Sequence, residues 1–269
     1  MPERDRESFE RDYRDWLRLM SRDAAHRLAA MPPERRNAVL NEYSALKNPR
    51  TVFHELRDKD RVRRLGGERL SSYIILETDA VVFFPSLYSP AALDFAVAMN
   101  RRFYYRGLWF PIISFNSEYI RQSSDRVLAF ALEHEFEMSR IYQDISLNLR
   151  ALSTDEKRDV MESAQKTSTK KLSITPEELI EDEKLMYRLS STQPLIPKPY
   201  AERAMLLWLE DNFSRLESYG VVSISPEEEA FGEELSLEFQ SWSEFSQKTY
   251  ELFVREISAN MREANRGYG

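Results

Sequence analysis

Apolar residues that return at every third or fourth position mark both ends of this chain, and that recurrence constrains its fold more than any other feature. Phe9, Tyr13, Trp16, Leu17 and Met20 fall on one face of a helix, with Asp, Glu and Arg between them. Leu235, Phe239, Trp242, Phe253, Ile257 and Met261 form a second stripe near the far end. Such stripes must be covered, most simply by a shared core, otherwise by a partner in a groove or a dimer. Only seven glycines occur in 269 residues, so a fold of many tight turns, such as a β-sandwich, is disfavoured. The expected class is α+β, predominantly helical with one small sheet of three or four strands.

Punctuation refines this expectation. Further helices are predicted from Pro33 to about Lys47, from Val52 to Arg64 with a stop at Gly66-Gly67, and from Ser89-Pro90 through AALDFAVAMNRR. Others follow from Asp125 to Arg150, after the Ser153…Glu156 capping box, from Thr175-Pro176 to about Leu189, from Tyr200 to Tyr219, and after Ser225-Pro226. Leu70 to Leu76 and Ala80 to Pro85 read as a β-hairpin around Glu77-Thr78-Asp79. LWFPIISF reads as a strand, placed at a sheet edge by Pro111. Val221 to Ile224 is a candidate short strand, Lys166 to Ser173 a polar loop, and Gln193 to Pro199 a stiff connector. Residues 1–65 are read as an N-terminal helical extension and residues 66–269 as the core.

Several function classes drop out. The chain has no cysteine, which removes disulfides, thiolate metal sites and cysteine nucleophiles. No phosphate-binding glycine loop and no Gly-x-Ser-x-Gly elbow is present. The formal net charge of −7 argues against a chain devoted to nucleic acid. A basic stretch does run from Lys47 to Arg69, but interleaved aspartates favour a solvated, ion-paired helix there. The charged start MPERDRESFERDYRDW is not a secretory signal, and no apolar run reaches the roughly 20 residues that span a bilayer. The expected location is cytoplasmic.

Chemistry concentrates between Phe110 and Leu149. On a helix of 100° per residue, Val127, Ala131, His134, Met138, Ile141 and Ile145 share one stripe. Glu135 flanks it, while Glu133 and Glu137 are expected to face away. Three readings of His134 stay open: a hydrogen-bonded core residue, a remnant of a lost metal site, or part of a working metal or acid–base site. His54-Glu55 is a second His-Glu pair that could supply another imidazole.

The strand PIISF, the loop Asn116-Ser117-Glu118-Tyr119-Ile120, a Ser-Asp helix start and the run VLAFALEHE together resemble the active-site approach of gluzincin-type zinc metallopeptidases, over about thirty residues from Pro111 to Ile141. In that family a helix presents two histidines one turn apart around a general-base glutamate. The resemblance implies a zincin-like fold, His134 as a zinc ligand, Glu135 as the general base and a glutamate from a later helix as third ligand. Glu183 is the first choice, with Glu181 and Glu202 as alternatives. The motif departs from the pattern at Met138, where the second histidine belongs. Thioether sulfur is a poor zinc ligand beside imidazole and carboxylate. The resemblance therefore implies an inactive or divergent relative acting mainly through binding, or a hydrolase with a rearranged zinc site. Absence of any cofactor is the leading expectation and zinc the alternative. A non-enzymatic helical interaction or assembly protein, with a protein or peptide partner or a second copy in a homodimer, is the competing reading.

Overall fold

The computed structural model describes residues 3–89, 92–146, 152–220 and 225–266. Helices dominate them. In chain order these are α1 (Glu3–Ala30), α2 (Pro33–Ala45), α3 (Lys59–Gly66), α4 (Ser117–Gln122), α5 (Asp125–Ser146), α6 (Thr154–Leu172), α7 (Pro176–Thr192), α8 (Lys198–Leu216) and α9 (Pro226–Arg266). The strands are β1 (Phe53–Glu55), β2 (Ile74–Thr78), β3 (Val81–Pro85), β4 (Leu93–Ala96), β5 (Ala98–Tyr105), β6 (Leu108–Asn116) and β7 (Leu195–Pro197).

They form two small mixed sheets, as α+β requires, rather than one. The four-stranded sheet runs β1-β2-β6-β5 and the three-stranded sheet β4-β3-β7. β2 lies parallel to β6, from Ile74 opposite Ile112 to Thr78 opposite Asn116. β5 and β6 are an antiparallel hairpin closed by Arg106-Gly107, whose φ angles of 50° and 80° suit a two-residue turn that matches strand twist.

Several local expectations change. β2 and β3 are not a hairpin but belong to different sheets, because Ala80 and Asn116 tie the turn between them to the end of β6. AALDFAVAMNRR forms β4 and β5, not a helix, since β3 and β6 offer each strand a partner ladder. Part of the Ser89-Pro90 start lies outside the described residues. The predicted Val52–Arg64 helix starts only at Lys59, as α3, and runs on to Gly66. β6 is interior, yet Pro111 causes no break: β2 begins pairing at Ile112, so on that side β6 is still unpaired at the proline. Lys166 to Leu172 continues α6, with Ser168 buried and donating to the Ala164 carbonyl. The expected strand at Val221 to Ile224 and the end of the Asp125 helix beyond Ser146 lie outside the described residues.

The terminal stripes meet each other. α1 packs along α9 in the same direction: Tyr13 faces Phe245 at 5.6 Å, and Ser21 donates to Glu256 further on. α8 runs through the centre, with Tyr200, Ala201, Ala204, Met205 and Leu209 sealed from solvent. Tyr200 stacks on Tyr250 of α9 at 4.1 Å. Among the described residues no helix is long and apolar enough to cross a membrane.

Candidate functional site

α5 is the helix with candidate chemistry. Asn116, at the end of β6, accepts from the Glu118 and Tyr119 amides and so caps α4, which turns the chain toward α5. α5 then lies against β5, α3, α6 and α7, so most of its circumference is covered.

Its deepest apolar residues are Val127, Leu128, Leu132 and Phe136, with Glu135 buried on the same side. Ala131, His134, Met138 and Ile141 sit on a shallower flank. The expected stripe through His134 is therefore rotated by about one residue. Glu133 and Glu137, expected to face away, are also buried. They are accommodated because cations reach them, from neighbouring elements for Glu133 and from α5 itself for Glu137. Arg69 and Lys171 both donate to Glu133, Lys171 at 2.5 Å, and Arg140 donates to Glu137 at 3.0 Å. Burial opposes the charge of Glu133, but the bonds from Arg69 and Lys171 outweigh it and hold the carboxyl below its usual range.

His134 and Glu135 have no such partners. The His134 ring stands 6.4 Å from Phe130, and its Nδ1 is sealed from water without a hydrogen-bond partner. Burial pulls the imidazole down to about 4, so the ring is neutral at ordinary pH. Glu135 is buried, and desolvation pushes its carboxyl up to about 7, with the Lys198 ammonium pulling the other way. Lys198 opens α8, and its Nζ lies 5.4 Å from the Phe84 ring centre. Burial lowers the lysine, while Glu202 opposes that. Asn100 of β5 donates to the Glu135 carbonyl at 2.8 Å, tying the helix to the sheet edge.

The later carboxylates fall differently from the expectation. Glu183 is exposed on α7, as is Glu181. The inward acid is Asp182, on the same face as Leu185 and Leu189, where it accepts from the buried Tyr119 hydroxyl at 2.6 Å. Glu202 pairs with Arg101 at 3.5 Å. His54 does not approach His134. It sits on β1, at the opposite edge of the sheet from β5, with its Nε2 3.5 Å from Glu77. Among the described residues no group of three or more His, Cys, Asp or Glu side chains is arranged to hold a metal ion. His134, Glu135 and Glu183 thus do not fit a zinc centre as they stand.

The basic stretch is largely neutralised inside the fold. Lys59 pairs with Glu55, Arg57 with Asp79, Arg61 and Arg64 with Asp125, and Arg69 with Glu133.

A second feature was not anticipated. A cleft of about 350 Å³ opens between the tip of the β5–β6 hairpin and α9, lined by Tyr104, Tyr105, Arg106, Glu233, Ser236 and Leu237. Its sequence signal was Gly232, an isolated glycine inside an otherwise strong helical pattern.

No family model matches this chain, and no curated protein or solved structure matches it.

Proposed function

We propose that this protein acts by binding another protein rather than by hydrolysis, on a zincin-like arrangement whose metal site has been lost. The observation that carries this reading is the use made of the polar groups on α5. Glu133 and Glu137 are bound by Arg69, Lys171 and Arg140, and His134 is a neutral ring beside Met138. Glu135 is closed in rather than presented to a cleft. Glu183 faces solvent on α7 and joins no metal-holding group among the described residues, while the open cleft at the hairpin tip has tyrosine, arginine and leucine at its surface, two of them among the residue types that dominate interface hot spots. The zincin-like element of the proposal is supported by the order of β6, the Asn116-capped α4 and α5, and by the position of α5 on the edge strand β5.

The test is a hydrolysis assay on a mixed peptide library, with zinc supplied, comparing the wild type with Met138→His. The expected result is no turnover by the wild type, and zinc affinity raised at least ten-fold in Met138→His because a second imidazole one turn from His134 restores a ligand pair. Turnover by the wild type that Glu135→Gln abolishes would defeat the non-catalytic reading. Unchanged zinc affinity in Met138→His would remove the zincin-like part.

A further inference from the structure

The cleft between the β5–β6 hairpin and α9 is shaped by a specific substitution in the helix. Glycine inside a helix costs about 1 kcal/mol relative to alanine. At Gly232 it has a use: a Cβ there would stand 2.5 Å from the Tyr104 ring. The glycine lets that ring lie directly on the backbone of α9. Trp109 braces the other side of Tyr104 at 5.3 Å, and Phe213 braces Tyr105 at 5.3 Å. Arg106 is fixed at the hairpin turn with its guanidinium over both Tyr105 and Phe213. Two preorganised aromatic side chains therefore face the cleft, with Leu237 on its opposite wall 69% exposed.

The wall on α9 is acidic. From Leu216 to Gln247 the chain has no lysine or arginine. Among the described residues Glu227, Glu229, Glu233 and Glu234 form no ion pair, and all four are exposed. Arg102 faces Glu228 but is stacked over Trp109 at 4.7 Å. Glu233 lines the cleft beside Tyr104, and Glu229, one turn before it on α9, accepts from the Tyr104 hydroxyl; burial, then these two carboxylates, push the phenol up. This negative wall contrasts with the basic α3, whose charges are mostly answered within the fold. Carboxylates without an ion-pair partner beside aromatic faces favour a cation, through both charge and the π-quadrupole.

We propose that this cleft docks a basic, apolar segment of a partner protein, with lysine or arginine side chains against Glu229 and Glu233 and an apolar side chain between Leu237 and Tyr105. The inference rests on the binding reading above and names the partner's chemistry.

The test is calorimetric titration of the full-length protein with a short synthetic peptide of alternating lysine and leucine, beside its glutamate-for-lysine analogue. The lysine peptide is expected to bind and the glutamate analogue not to. Glu233→Lys and Leu237→Ala, both at exposed positions that leave the fold intact, are each expected to weaken binding roughly ten-fold, the size of one lost ionic or apolar anchor. Raising salt to about 1 M should weaken the wild type but change Leu237→Ala by the same factor. Gly232→Ala should also weaken binding by displacing Tyr104. Equal binding of both peptides, no binding of either, or binding that survives Glu233→Lys would overturn the proposal. So would a dimer in solution that Leu237→Ala splits, since a second copy would then be the occupant. Failure here without hydrolysis by the wild type leaves the non-catalytic reading standing, whereas hydrolysis defeats that reading whatever the peptide does.

Discussion

His134 and Glu135 are adjacent in sequence and respond to pH in opposite directions. Glu135 has a folded pKa of about 7, above its ordinary 4.5, so the folded state holds a proton that the unfolded chain releases. Its contribution is full below pH 4.5 and is lost as pH rises through about 7. His134 is depressed to about 4 from 6.5, so its contribution is present above pH 6.5 and is lost as pH falls toward 4. Glu135→Gln should therefore stabilise the protein at pH 8, by up to about 3 kcal/mol, and have little effect at pH 4. Urea unfolding at the two pH values checks this, and equal effects at both would contradict the burial of an ionisable Glu135. Glu133 gives a prediction of the other sign. Lys171→Ala removes one of its two donors, and with the lysine about half exposed the cost should be about 1 kcal/mol. Lys171→Ala with Arg69→Ala should cost more than the sum of the single changes, because only then is a buried carboxylate left without a cation. That non-additivity is measured by a double-mutant cycle at pH 7.

At the scale of elements, the helices with explicit end signals were legible. Ser153 with Glu156 forms the reciprocal bonds its spacing implied, and Thr175, read as a helix start, forms the same pair with Glu178. Thr175→Ala should cost about 1 kcal/mol, read from the urea midpoint. α7 is a demanding place for this loss, since Glu178 also binds Arg126 of α5. Where a segment's partner was distant in sequence, legibility failed. Ala92 to Arg102 is rich in small residues that suit a helix, and only the ladders offered by β3 and β6 make it two strands. The phase of a helix was also out of reach. α5 is covered on most sides, so its apolar pattern does not name a single inward face. The same ambiguity affects α7, where Glu183 is the first choice of ligand by sequence and Asp182 is the residue that meets Tyr119. The candidate site was thus readable as a helix with His134 and Glu135 on it. The Arg140 that binds Glu137 is three residues away on the same helix, but the cations that neutralise Glu133 come from positions 69 and 171, far along the chain, and no spacing rule joins them.

On the scale of the molecule, the two ends of the chain hold each other. Tyr13, Leu17, Met20, Ala24 and Leu28 of α1 are buried, and α9 is α1's main neighbour. Side chains of this kind contribute roughly 1.5–3 kcal/mol each when buried, so together they rival the whole stability of a domain. A chain beginning at residue 32 should therefore lose cooperative thermal unfolding and expose apolar surface, detected by calorimetry and dye binding. A sharp transition at an unchanged temperature would mean that α1 is an appendage. β1, at residues 53–55, belongs to the four-stranded sheet, so any working boundary after the N-terminal helices has to precede it. With Tyr13, Leu17, Met20, Phe253, Ile257 and Met261 of the terminal stripes used internally, the surface we propose for a partner is the hairpin cleft and its acidic wall.

On the reading proposed above, α5 serves the fold and not a metal ion. Elemental analysis of protein purified with zinc supplied, wild type beside His134→Ala, tests it most directly. The account predicts far less than one zinc per chain in both. Near-stoichiometric zinc in the wild type that disappears in His134→Ala would contradict it, and would return His134 and Glu135 to a hydrolytic role.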